Sequence, residues 1–142
     1  MRDFCSHRIL VLDDNAADAE LIRMILGDIR PFLEIHWIKD GEEAIRYLMA
    51  LGPEKKKPDL VFLDWKIPIT DGATILGTIR SIDFLKAIPV LVLSTFLSPT
   101  ERKECYQLGA NCVVEKPMDL DTFRASLRMV AQFWLDVVQL PR

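Results

Sequence analysis

The sequence predicts an α/β domain in which five parallel strands form one sheet and helices cover both of its faces. Short apolar runs, such as residues 9–12 and 90–93, have the length and composition of strands buried on both sides. Each run is followed by a longer segment whose apolar residues recur every three or four positions, as on one face of a helix. This alternation requires right-handed crossovers and therefore a parallel sheet.

The first two strand–helix units lie before residue 53. Residues 9–12 (ILVL) predict the first strand, Asn15 is a suitable N-cap for the helix after it, and Gly27 is expected to end that helix. Residues 34–38 (EIHWI) alternate polar and apolar side chains, as a half-exposed edge strand does. Residues 41–52 then predict the second helix.

The remaining three units follow a loop bounded by prolines. The predicted elements are strands at 60–63, 90–93 and 112–114, and helices at 71–80, from 98 to near Gly109, and at 119–139. Ser98 and Glu101 form a capping box with a proline at the first helical position, which is a strong helix start. The residues of the last helix expected to face the core are Leu120, Phe123, Leu127, Val130, Trp134 and Val137.

The composition limits the class of protein. The chain has 142 residues, half of them apolar, which suits a single domain spanning 1–142 with a core of about 8–138. A net charge of −3 argues against a nucleic-acid partner. The apolar runs fall short of the roughly 20 residues of a membrane span, and the polar N-terminus does not resemble a signal peptide, so a cytoplasmic location is expected. Three cysteines without zinc-site spacing predict reduced, structural thiols.

Polar side chains follow the predicted buried strands at the point where each strand ends. They are Asp13 and Asp14, Asp64, Ser94 and Thr95, and Glu115 and Lys116. The carboxyl ends of parallel strands meet at one edge of a sheet, where ligands bind. The neighbouring carboxylates would repel one another, so they call for a cation. Lys116 supplies one charge, and Mg²⁺ is the ion that suits oxygen ligands and retained waters. Such a site could bind a phosphoryl group, and a carboxylate could be the nucleophile that receives it.

Four motifs at four strand ends resemble a known family. "LDDN", "LDWKIPITDG", "VLVLS" and "EKP" are similar to the signature of the response-regulator receiver domain of two-component signalling, over residues 8 to 138. The resemblance implies a flavodoxin-like (βα)5 three-layer sandwich with strand order 2-1-3-4-5. The extended C-terminal helix and the long loop before residue 60 further resemble the single-domain regulators that accompany phytochrome-type sensor kinases.

The resemblance also implies a role for individual residues. Asp64 would be the phosphoacceptor, Ser94 would bond a phosphoryl oxygen, and Lys116 would neutralise the phosphoryl charge. The Lys116–Pro117 bond would be cis. Val113 stands where the family often has an aromatic switch residue, which places the aromatic version of the switch in doubt.

Magnesium ligands are implied in the same way. Asp14 and Asp64 would hold Mg²⁺ directly, Asp13 would do so through water, and the backbone carbonyl of Lys66 would be a further ligand.

The expected function is that of a stand-alone response regulator and not of an enzyme. It would accept a phosphoryl group from a sensor histidine kinase, of phytochrome type on the narrower resemblance, and signal to a downstream protein by a changed binding surface. The alternatives are a degenerate receiver used as a scaffold and a phosphohydrolase that forms an aspartyl-phosphate. Lys66 occupies the position where such hydrolases usually carry a second acid. A flavodoxin-like electron carrier is disfavoured because Asp13 and Asp14 would repel a phosphate.

The last helix predicts an assembly. If it runs to Gln139 it overhangs the sheet, and apolar residues surround its end, including Phe133 and Leu140. Met129 lies one turn before Phe133. An exposed patch of this kind usually marks an interface. A two-fold homodimer through the last helix and tail is therefore expected, and the alternative is a tail that folds back on its own domain.

Overall fold

The computed structural model describes residues 7–53 and 56–141 and contains one five-stranded parallel sheet. Its strands are β1 (Arg8–Leu12), β2 (Glu34–Ile38), β3 (Leu60–Asp64), β4 (Val90–Ser94) and β5 (Cys112–Glu115). The strand order is β2-β1-β3-β4-β5, with every pair parallel. The predicted fold class and strand order are confirmed.

Helices cover the two faces of the sheet. They are α1 (Ala16–Ile29), α2 (Gly41–Leu51), α3 (Gly72–Ser81), α4 (Pro99–Gln107) and α5 (Leu120–Gln132), followed by a π-helical turn (Phe133–Val137). One core cluster joins α2, α3 and α4 to one face of the sheet, and Leu48 and Ile75 are fully buried in it. The other cluster joins α1 and α5 to the opposite face, with Ile22 and Leu127 at its centre. This is the three-layer sandwich that was expected.

Local capping agrees with the sequence except at one helix end. Ser98 and Glu101 form the predicted capping box, and Asn15 caps α1. The expectation that Gly27 ends α1 is wrong, because the helix continues to Ile29. The buried side chain of Leu26 holds this last turn against the core, and the backbone N–H of Arg30 closes the turn on the carbonyl of Leu26.

The end of the last helix also differs from the prediction. The α-helix stops at Gln132, and the π-helical turn carries the chain to Val137 and not to Gln139. Its hydrogen bonds span five residues, as between the N–H of Val138 and the carbonyl of Phe133.

The wider turn changes which side chains face the core. The buried residues of the segment are Phe123, Leu127, Ala131 and Leu135. Val137, which was assigned to the core, is exposed in this turn. Leu120, also assigned to the core, is exposed at the first position of α5, far from the turn. The prediction assumed a uniform α-helical period, which would not have placed Leu135 inward.

The remaining composition-based expectations concern thiols and membranes. Cys105 is buried and Cys112 half-buried, and both are free thiols; Cys5 lies outside the described residues. Burial raises the pKa of Cys105 to about 11, which keeps this thiol protonated and unreactive. Within residues 7–53 and 56–141, no helix has the length and apolar character needed to cross a membrane.

Candidate functional site

The carboxyl ends of four strands place the predicted polar residues at one edge of the sheet. Leu12 pairs with Leu63, so the residues that follow them, Asp13 and Asp64, lie side by side. On the other side of β3, Asp64 is itself paired with Leu93, next to Ser94. The backbone N–H of Lys116 donates to the carbonyl of Ser94 across 2.8 Å, which fixes the start of the last loop at the same edge.

Three carboxylates meet at this edge. Asp13 and Asp64 are almost buried, whereas Asp14 is exposed, and one carboxylate oxygen from each lies within 4.8 Å of the others. Carboxylate oxygens are the ligands that Mg²⁺ prefers in proteins, and three of them leave coordination positions for water. The donor set therefore suits a small, hard divalent ion, around which the oxygens would draw closer together.

The ammonium group of Lys116 lies among carboxylates. Its Nζ is 2.6 Å from Asp13 Oδ2, 3.0 Å from Asp18 Oδ2 and 3.4 Å from Asp64 Oδ2. Burial by itself lowers the pKa of Lys116, but these carboxylates outweigh the burial and leave the pKa above its ordinary value. Lys116 is therefore charged at neutral pH and held close to Asp64.

Asp13 is equally buried, but here burial outweighs the effect of the neighbouring charges on the pKa. Burial raises the pKa of Asp13 from 3.8 to about 6, although the Lys116 ammonium and the backbone N–H of Asn15 both favour the ionised form. This carboxylate is mostly ionised at pH 7 and gains a proton under mildly acidic conditions.

Ser94 is the neutral member of the site. Its hydroxyl is buried and makes no hydrogen bond with any described residue. The residue lies on the wall of an open groove of about 460 Å³, shared with Phe96 and Val113. A buried hydroxyl without a partner is costly, so a ligand oxygen at this edge could accept a hydrogen bond from it.

The loop after β3 is tightly shaped around Asp64. The backbone N–H of Lys66 donates to Asp64 Oδ1 across 3.2 Å. Further along, the N–H of Thr70 donates to the carbonyl of Pro68, and Ile69 between them has a φ of 73°. This is a γ-turn with positive φ, a rare conformation for a β-branched residue. The Lys66 side chain points outward, 3.5 Å from Glu101 and over the ring of Phe96.

The remaining predictions for this edge of the sheet concern Thr95, Glu115 and the bond between Lys116 and Pro117. Thr95 and Glu115 are exposed. The expectation of a cis bond between Lys116 and Pro117 is wrong, since every peptide bond between described residues is trans. A bond before proline ordinarily prefers the trans form by roughly 0.5–1 kcal/mol. With this bond trans, the ammonium of Lys116 contacts three carboxylates.

Two residues that touch the site were missed by the sequence analysis. Asp18, in the first turn of α1, contacts Lys116, and the indole N–H of Trp37 donates to the backbone carbonyl of Asp13. One feature of the sequence could have identified Asp18. It lies in the first turn of α1, and this turn is close to the end of β1, where the site is. Nothing in the sequence indicated the contact of Trp37, because it depends on how β2 lies against β1.

The motifs, the fold and the site geometry agree with a comparison against known families. A family model of the response regulator receiver domain matches residues 9–128. The chain belongs to the response-regulator receiver-domain family. As a receiver domain it is a component of phosphorylation-based signalling, and receiver domains act generally as switches and not as conventional enzymes.

Individual relatives extend the similarity over nearly the whole chain. Response regulator Rcp1 of Synechocystis sp. is 31% identical over 135 residues, which cover 94% of this chain and 92% of Rcp1. The crystal structure of the phosphorylated cyanobacterial phytochrome response regulator RcpA is 34% identical, with a TM-score of 0.90 over 97% of this chain and 100% of that one. The Mn²⁺-bound form of Rcp1 is 30% identical, with a TM-score of 0.89 over 96% and 99% of the two chains.

Proposed function

We propose that this receiver domain accepts one phosphoryl group on Asp64, with Mg²⁺, from a phosphohistidine of a sensor histidine kinase. The observation that supports this assignment is the position of Asp64. It is the one carboxylate among the described residues that belongs to the metal-binding cluster, contacts Lys116 and is paired in the sheet beside Ser94. A phosphoryl group on Asp64 would thus have cationic and hydroxyl partners within reach.

The reaction is a transfer between two nucleophiles. A carboxylate oxygen of Asp64 attacks phosphorus, the P–N bond to the histidine breaks, and the imidazole keeps the electron pair. Asp13, Asp14, Asp64 and the backbone carbonyl of Lys66 would hold Mg²⁺, which neutralises charge on the phosphoryl oxygens. The ammonium of Lys116 neutralises a further charge, and the Ser94 hydroxyl donates the hydrogen bond that it otherwise lacks.

The identity of the kinase is part of the proposal. RcpA is a phytochrome response regulator, and its similarity over nearly the full length of this chain supports a phytochrome-type kinase as donor. The signalling output is a binding surface that changes when phosphorylation adds charge, so that a downstream protein binds one state better. A phosphohydrolase is not supported, because Lys66 is directed to Glu101 and Phe96 and supplies no second acid.

Phosphorylation can be tested with a small donor. Acetyl phosphate and Mg²⁺ should add the mass of one phosphoryl group to the intact protein, and Asp64→Asn should abolish the addition. Asp59→Asn is the matched control at the opposite end of β3, where the amide oxygen can still accept the hydrogen bond from the backbone N–H of Arg8. Labelling that survives in Asp64→Asn would refute the assignment of the phosphoacceptor.

A homodimer through the last helix remains a proposal, with a revised set of residues. The tail does fold back in part: Leu135 is buried, Leu140 packs against the core, and Arg30 forms an ion pair with Asp136. The side chains of Met129, Phe133 and Val137 nevertheless form an exposed stripe, spaced by four residues. They are 70%, 52% and 67% exposed.

An apolar stripe on one helix can pack against its own copy around a two-fold axis. Sedimentation equilibrium at micromolar concentration should give a dimer that Phe133→Asp dissociates. Phe32→Asp is the control, since Phe32 is 83% exposed in the loop after α1. A wild-type monomer, or a dimer that persists in Phe133→Asp, would exclude this interface.

A further inference from the structure

Asp18 contacts the site but is not one of the carboxylates that could hold a metal ion. Its Oδ2 lies 3.0 Å from Lys116 Nζ, which is closer than the 3.4 Å between Nζ and Asp64 Oδ2. It is not a member of the cluster that Asp13, Asp14 and Asp64 form. Asp18 therefore acts on the ammonium group and not on the ion.

The capping of α1 explains why the Asp18 side chain is available. Asp18 is the third residue of the helix, and its backbone N–H donates to the side chain of the N-cap Asn15. In a reciprocal capping box, the side chain at this position returns to the N-cap N–H. Here the N–H of Asn15 is taken by Asp13 Oδ1 at 2.9 Å. The Asp18 carboxylate therefore remains available to accept a hydrogen bond from Lys116. The N-terminus of the helix stabilises its negative charge.

The ammonium of Lys116 has three N–H donors, and three carboxylates accept them. Phosphorylation of Asp64 would move negative charge outward to the phosphoryl oxygens, and Lys116 would have to follow. Asp13 and Asp64 belong to the acidic cluster that would hold the metal, so Asp18 is the partner whose only described side-chain contact in the site is with Lys116. Its attraction opposes the movement of the ammonium toward the phosphoryl group.

We propose that Asp18 is a positioning residue for Lys116: it retains the ammonium in the unphosphorylated arrangement and thereby weakens the pairing of Lys116 with a phosphoryl group on Asp64. The proposal rests on the function proposed above. It predicts two effects of Asp18→Asn with opposite signs. Without the Asp18 carboxylate, the ammonium of Lys116 should pair more strongly with a phosphoryl analogue. When the analogue is absent, the ammonium should pair more strongly with Asp13 and Asp64 and so compete with Mg²⁺ for these carboxylates.

The test uses the full chain with Mg²⁺ alone and with beryllium trifluoride, which binds a carboxylate oxygen in place of a phosphoryl group. Asp18→Asn should bind beryllium trifluoride about two- to fivefold more tightly, and Mg²⁺ alone more weakly by a similar factor. Glu20→Gln removes the same charge from an exposed position on α1 that pairs with Arg23, and it should change neither affinity by this amount. A loosened helix would weaken both affinities together.

A double-mutant cycle with Lys116→Met decides whether Asp18 acts through the lysine. In the Lys116→Met background, Asp18→Asn should change both affinities much less than in the wild-type background, since only the direct effect of one lost charge remains. Effects of the same size in both backgrounds, or effects that Glu20→Gln reproduces, would overturn the proposal. If the wild-type protein binds no beryllium trifluoride, the proposed function fails, and the Mg²⁺ cycle alone then accepts or rejects the role of Asp18.

Discussion

The indole N–H of Trp37 donates a hydrogen bond to the backbone carbonyl of Asp13 across 2.7 Å. The next residue of the same strand, Ile38, accepts a bond from the N–H of Asp13. The end of the edge strand β2 therefore holds both backbone polar groups of Asp13. A surface residue on β2, 41% exposed, thus helps to fix the backbone beneath the most buried carboxylate of the metal cluster.

Trp37→Phe should lower the affinity for Mg²⁺ about two- to tenfold, because a hydrogen bond of this kind contributes roughly 0.5–1.5 kcal/mol. Isothermal titration calorimetry measures the change directly. Trp134→Phe makes the same chemical change in the π-helical turn after α5 and should leave Mg²⁺ binding intact. Equal losses in the two variants would show that Trp37 does not hold Asp13 specifically.

Mg²⁺ binding should weaken as the pH falls through about 6. The pKa of Asp13 is about 6 because of burial, so below that pH a proton competes with the ion for this carboxylate. The apparent affinity should be nearly constant above pH 7 and should fall by up to about tenfold for each pH unit below 6. Titrations between pH 5 and 8 test this, and Asp13→Asn should bind weakly without the same pH dependence.

The same carboxyl group should affect stability without Mg²⁺. Its folded-state pKa lies above the ordinary value of 3.8, so the folded protein binds this proton more readily than the unfolded chain. The contribution of Asp13 to the free energy of unfolding is complete below pH 4 and is lost as the pH rises through about 6, by roughly 2–3 kcal/mol. Other carboxylates titrate in this range as well. The quantity to measure is therefore the difference in urea-unfolding free energy between wild type and Asp13→Asn at pH 4 and pH 7, and a constant difference would contradict the assignment.

Ser94→Ala should leave the free energy of unfolding unchanged or raise it by about 1 kcal/mol, because the hydroxyl is buried without a described partner. The same variant should bind beryllium trifluoride more weakly, since the hydroxyl donor is gone. Ser98→Ala is the contrasting control: Ser98 caps α4, and its loss should destabilise the protein by about 1 kcal/mol with little effect on the analogue. Marked destabilisation by Ser94→Ala would mean that the hydroxyl has a partner in the folded protein.

Ile69→Asn should stabilise the fold by about 1 kcal/mol. The positive φ of Ile69 is unfavourable for a β-branched residue and well tolerated by asparagine, and the side chain is 87% exposed, so little burial is lost. Thermal unfolding of the variant gives the difference. Ile69→Val keeps the branching at Cβ and should bring no gain, and a similar increase for both would point to a cause other than backbone strain.

Much of the site could be predicted because a buried strand fixes where the residue that follows it lies. A run such as residues 60–63 is buried on both faces, so the residue that follows it must lie at the sheet edge, and parallel pairing then brings Asp13 beside Asp64. The same reasoning placed Ser94 and Lys116. These positions depend on the backbone alone, which apolar patterning predicts well.

What could not be predicted depends on side-chain direction and on departures from regular geometry. The contact between Asp18 and Lys116 arises because Asp13 takes the N-cap N–H that Asp18 would otherwise accept. The exposure of Val137 follows from a π-helical turn, which a uniform helical period does not anticipate. In the first case the sequence shows two carboxylates that could accept the N–H of Asn15 but not which one does so. In the second case the last turn departs from the helical period with which the pattern is interpreted.

Lys116 is surrounded by more negative charge than it can balance. Four carboxylates and one ammonium leave the site with three negative charges at neutral pH, so an anionic phosphoryl group meets repulsion until a divalent cation has reduced this excess. Metal and phosphoryl group should therefore bind with positive cooperativity. By thermodynamic reciprocity, the phosphoryl group must raise the affinity for the metal by the same factor by which the metal raises the affinity for the phosphoryl analogue. On the proposed function, the cellular Mg²⁺ concentration would act as a second input to the domain, because it would set how strongly the phosphorylated state is stabilised.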